Sequence, residues 1–129
     1  MLTTLSVSGT APSRILAASS EPTHITAAEL NTLITSGEAP LIVDVRSSWE
    51  YKAGHVPGAI HLPFWLAYAR VDEINAPKDE LVIVYCAYGP RAGIGKTALV
   101  REGVTQVRYL QGHMKEWNKA GLPVEISPQ

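Results

Sequence analysis

The residues best equipped for chemistry stand together in one turn. Cys86, the only cysteine of the chain, closes the apolar run LVIVYC, with Gly89 and then Arg91 following before a helix-like segment begins. A thiol at the end of a strand, a residue free to bend and a permanent cation could make a redox site, a phosphatase pocket or a sulfur carrier. With Gly95, Lys96 and Thr97 just beyond, a nucleotide phosphate cradle is a further reading. The plain alternative is a tight connection with a buried structural thiol at its edge.

Spacing separates these readings. A phosphate-binding P-loop needs a glycine five positions before its Gly-Lys pair, and Pro90 stands there, with a fixed φ and no N–H to offer. A dinucleotide fingerprint starting from Gly93 and Gly95 lacks its third glycine, because position 98 is Ala98. A lone cysteine can form neither an internal disulfide nor half of a C-x-x-C redox pair or zinc cluster. An anion cup survives. A turn between a strand and a helix N-terminus can point several amide N–H groups inward, and the helix dipole adds positive potential there. Such groups would pull a thiol below its free pKa of about 8.5 and leave a nucleophilic thiolate at neutral pH. Arg91, forked and always charged, suits a sulfonate or phosphate.

The rest of the chain sets bounds on this cup. With 129 residues, 46% of them hydrophobic, there is material for one good core, so one domain is expected, spanning residues 23–129. A net charge of -1 and a pI near 6.4, with acids and bases interspersed, give no field to hold nucleic acid or an anionic membrane. Any anion site must be local. No run approaches the roughly 18 apolar residues of a membrane span. Residues 1–22 are rich in Ser, Thr and Ala, carry Arg14 as their one basic residue, and read as a disordered leader lacking the marks of a signal or transit peptide. The expected compartment is the cytoplasm.

From Ile25 onward two periodicities alternate. Thr26 followed by Glu29 opens a helix with Leu30, Leu33 and Ile34 on one face, stopped at Gly37. LIVDV (41–45) reads as a buried strand, SSWEYKAGH as a short helical turn closed by Gly54, and GAIHLP as a brief strand. FWLAYARVDEI is expected to be helical, LVIVYC (81–86) a strand, GKTALVREG a helix, QVRYL a strand and HMKEWNKAG a last helix ending at Gly121. Strands separated by helices predict an α/β fold with a parallel sheet covered on both faces. Ligands in such sheets bind at the carboxyl ends of strands, which is where Cys86 stands.

LIVDVRSSWEYKAGHVPGAIHLP, VIVYCAYGPR and YLQGHMKEWNKAGLPV, in this order and at these separations, resemble a single-domain rhodanese of the sulfurtransferase superfamily over about residues 24 to 126. The resemblance implies a three-layer fold with a five-stranded parallel sheet between helices. It also implies a persulfide carried on Cys86 as nucleophile, and a cup built from the backbone of Ala87, Tyr88, Gly89, Pro90 and Arg91, with Ala92 at its edge and Arg91 as anion contact. The phosphatases related to this fold have a longer cup. The four residues AYGP between Cys86 and Arg91 match the tighter sulfur cup. The likeness implies a small sulfur donor such as thiosulfate, a thiol or cyanide-like acceptor or an acceptor protein, and no metal or organic cofactor.

Three positions depart from the family pattern. Pro90 removes one N–H from the cup, Ala92 replaces a common serine, and His113 follows Gly112 where a second glycine is usual. His113 is expected to serve packing, or to lean toward the loop. Asp44 in its apolar strand needs a partner, since a lone buried charge costs several kcal/mol. Arg46 or loop amides near Cys86 are candidates, making Asp44 and Arg46 a brace for the site. His55 and His61 read as hydrogen-bonded structural residues, and Trp49, Trp65 and Trp117 as packing residues. Tyr88 is expected to wall the pocket. Two functions remain open: an enzyme moving sulfane sulfur through Cys86, and a non-catalytic module that binds an anion or partner or senses oxidation.

Overall fold

The computed structural model describes residues 23–127, so the expectation about residues 1–22 lies outside the described residues. The elements are β1 (His24–Ile25), α1 (Ala27–Thr35), β2 (Leu41–Asp44), α2 (Ser48–Ala53), β3 (Ile60–His61), α3 (Ala67–Arg70), β4 (Leu81–Tyr85), α4 (Ala92–Arg101), β5 (Gln106–Leu110) and α5 (His113–Lys119). Short 3-10 turns, Phe64–Leu66 and Val71–Ile74, flank α3. The five strands form one sheet in the order β1-β5-β4-β2-β3, every pair parallel. This is the three-layer α/β arrangement expected, with β4 at its centre.

Local chemistry starts the helices where the sequence places them. Thr26 caps α1 and Ser47 caps α2, each in a reciprocal capping box with Glu29 and Glu50 respectively. Such caps satisfy amides the helix cannot and contribute about 1 kcal/mol each.

Alternation along the strands then sorts the core into two layers. Val43, Val45, Val82, Val84 and Cys86 face Ala92, Ala98 and Leu99 of α4 and the segment around α3. Ile42, Ile83 and Tyr85 face Leu30 of α1 and Met114 and Trp117 of α5. Successive strand residues point to opposite faces, so Cys86 lies on the α4 side and its neighbour Tyr85 on the α5 side. The close fit of α4 depends on Gly95: a Cβ there would stand 2.7 Å from Val45 Cγ1 and 3.0 Å from Val84 Cγ2.

Several sequence expectations are corrected. The segment 64–74 forms two 3-10 turns around a four-residue helix instead of one helix. The helix expected from Gly95 begins at Ala92. Two glycines disfavour helix in isolation, but their small size permits the approach of α4 to the sheet. Reading element by element finds four strands; the fifth is β1, two residues long and too short to show a period. Trp49 and Trp65, expected in the core, are 73% and 57% exposed, whereas Trp117 is buried as expected.

Candidate functional site

β4 ends at Tyr85, and the chain crosses from the carboxyl edge of the sheet through residues 86–91 into α4. The turn needs Gly89, whose φ of +140° lies where side-chain-bearing residues are disfavoured. Its N–H then donates to Cys86 Sγ at 3.0 Å. Two neighbouring amides are spent elsewhere: Ala92 N–H donates to Gly89 O at 3.1 Å and Cys86 N–H to His113 Nδ1 at 3.2 Å. Pro90 has none. Cys86 is fully buried, packed in the valine layer beneath α4. Tyr88, expected to wall the pocket, lies in the loop and is 71% exposed.

Three attachments fix this loop. The first is the start of α5, where Met114 N–H donates to Cys86 O at 3.0 Å and Lys115 N–H to Ala87 O at 2.9 Å. The second is the His113 side chain, buried against the loop and held by a backbone φ of +56°. Burial, with a smaller push from His24, holds its imidazole below the usual histidine pKa. That favours the neutral ring which Nδ1 must have to accept a proton.

The third attachment is Arg91. Its two outer nitrogens reach Glu50 Oε1 and Oε2 at 2.8 and 3.0 Å, a forked pair between the loop and α2. The residue expected as the anion contact thus holds the Glu50 carboxylate in its fork. Hydrogen bonds from Arg91, then from Ser47 and against the cost of burial, pull the Glu50 carboxyl down to about 2. The Arg91 guanidinium also lies 6.0 Å over the Phe64 ring. Glu50 escapes sequence reasoning because Arg91 lies 41 positions away.

Asp44 and Arg46 meet as expected, on the opposite face of the sheet from the sulfur. Arg46 Nε and Nη2 donate to the Asp44 carboxylate at 2.8 to 3.1 Å, and Arg46 N–H adds a bond at 2.9 Å. Arg46 Nη2 also donates to Gly54 O at 2.7 Å. Tyr85 completes the network: its hydroxyl donates to Asp44 Oδ2 at 2.6 Å and accepts from Val56 N–H at 3.0 Å. Burial, together with the Asp44 charge, pushes the Tyr85 phenol far above its usual pKa. A buried pair needs such satisfaction on every side. The network holds β2 to β4 one residue before Cys86, and Asp44 has no line to the sulfur. His55 and His61 are the structural residues expected, with Nδ1 of His55 2.7 Å from Tyr51 O and Nε2 of His61 2.7 Å from Arg46 O.

A rhodanese-like domain model matches residues 26–120 of the chain. The chain is 33% identical over 106 residues to a sulfurtransferase of Allochromatium vinosum, covering 82% of this chain and 96% of that one. It is 38% identical over 104 residues to an HTH-type transcriptional regulator of Mycobacterium tuberculosis, covering 78% of this chain and 44% of the regulator. Among solved structures, the thiosulfate sulfurtransferase from Pseudomonas aeruginosa superposes with a TM-score of 0.71 at 28% identity, over 89% of this chain and 22% of that one. The chain therefore spans under half of the regulator and under a quarter of that solved enzyme.

Proposed function

Because the chain belongs to the rhodanese-like domain family, we propose that it is a sulfurtransferase carrying sulfane sulfur on Cys86. The carrying observation is the Gly89 N–H aimed at Cys86 Sγ from 3.0 Å, at the carboxyl end of the central strand and beside the N-terminus of α4. An amide so placed stabilises anionic sulfur without a side-chain base. The Cys86 thiolate attacks the outer sulfur of a donor such as thiosulfate; the donor's S–S bond breaks, its electron pair leaves with sulfite, and the negative charge rests on the terminal persulfide sulfur. A thiol, a cyanide-like nucleophile or an acceptor protein then takes that sulfur and returns the thiolate.

A second reading is a non-catalytic module that binds an anion or partner or senses oxidation. It is favoured by the full burial of Cys86 and by the engagement of Arg91 with Glu50. Intact mass after incubation with thiosulfate separates the two. The sulfurtransferase reading expects a gain of one sulfur atom, removed by cyanide or thiol and absent in Cys86→Ser. No gain, under conditions that load a known sulfurtransferase, decides for the binding module.

A further inference from the structure

His113 has one ring nitrogen assigned and one left over. Nδ1 accepts from Cys86 N–H, so in the neutral ring the proton resides on Nε2 by elimination. That nitrogen faces the cup: a Cβ built on Gly89 would stand 3.6 Å from Nε2 and 3.7 Å from Cδ2. Among the described residues none is found accepting the Nε2 proton. Gly89 is also the residue whose own N–H holds the sulfur. Two donors thus meet at one corner of the cup, the Gly89 amide on the sulfur and the His113 imidazole alongside.

The cup offers few side-chain donors. Pro90 has no N–H, the amides of Cys86 and Ala92 are engaged, and the outer nitrogens of Arg91 are held by Glu50, so beside the loop amides of Ala87, Tyr88 and Arg91 the His113 imidazole is the side-chain donor turned toward the cup. An incoming donor that ends in a sulfonyl group brings oxygens that need hydrogen bonds as its charge grows toward sulfite. We propose that His113 Nε2–H binds a sulfonyl oxygen of such a donor, making His113 a specificity-determining residue for oxyanion-bearing sulfur donors over those without oxygen. This rests on the sulfurtransferase reading. The left-handed backbone at His113, with Cys86 N–H holding the ring, sets the direction in which Nε2 points, and the neutral ring gives a donor that orients without transferring its proton.

The test compares two donors on the full chain and on His113→Asn. Asparagine tolerates the left-handed φ but carries no N–H at the Nε2 position. Loading of Cys86 from thiosulfate should slow by about tenfold or more, as loss of a hydrogen bond to a charged group implies, with loading from inorganic polysulfide changed by less than about twofold. In parallel, the imidazole resonances of His113 are followed by NMR in Cys86→Ser, which cannot take up sulfur, as thiosulfate is added; they should shift saturably. Equal slowing with both donors would reduce His113 to a loop support and overturn the proposal, as would resonances that do not move. If the unaltered chain loads from neither donor while those resonances still shift, the transfer reading fails and the anion contact stands.

Discussion

Glu50→Gln is the sharpest probe of how the Cys86 loop is held. Glutamine keeps the shape of the side chain and an oxygen for the Ser47 N–H and hydroxyl, which now donate to Glu50 Oε1 at 2.9 and 2.8 Å, so the α2 cap survives. What is lost is the charge opposite Arg91. Lowering a carboxyl from 4.5 to about 2 corresponds to at most about 3 kcal/mol. Part of that belongs to Ser47, and solvent reaches both partners: the Arg91 and Glu50 side chains are 27% and 17% exposed. The expected loss of stability at neutral pH is therefore about 1–2 kcal/mol. The sign with pH is fixed: the folded carboxyl titrates lower than the unfolded one, so its contribution is complete above pH 4.5 and drains away as pH falls toward 2. Urea denaturation of both chains at pH 7 and again near pH 3 should show a gap in midpoint that narrows in acid. Equal midpoints at pH 7, or a gap undiminished in acid, would refute the assignment of Arg91 to Glu50.

Asp44→Ala leaves Arg46, 8% exposed at its side chain, without its countercharge; chemical denaturation should read a loss of about 3–5 kcal/mol. Gly95→Ala drives a methyl to 2.7 Å from Val45 Cγ1 and should cost about 1–3 kcal/mol, seen by calorimetry as a lowered Tm.

The parts of the fold visible in the sequence are those written in local patterns. The cap at Thr26, the apolar runs 41–45 and 81–86 and the stop at Gly37 each depend on neighbours in sequence, and the elements appear there. Asp44 beside Arg46 could be paired because the two are two positions apart. Contacts made across the fold were hidden. Nothing near Arg91 announces Glu50, and nothing near Asp44 points to Tyr85, reached across the β2–β4 register. Exposed Trp49 and Trp65 mislead because aromatic residues are commonly buried, and β1 acquires strand character only by lying beside β5. At His113, the sequence shows a residue out of pattern; only the backbone shows which of its nitrogens faces the cup.

The alternation that sends Tyr85 and Cys86 to opposite sides of β4 has a bearing on how the protein could fail. Sliding that strand by one residue against β2 would swap the two, thrusting a phenol under α4 and a thiol among the charges of Asp44 and Arg46. Such a slip would carry the thiol away from the Gly89 amide that now meets it. The bond from the Tyr85 hydroxyl to Asp44 forms in the native alignment, so a tether on the far face of the sheet favours the register that seats the sulfur under α4.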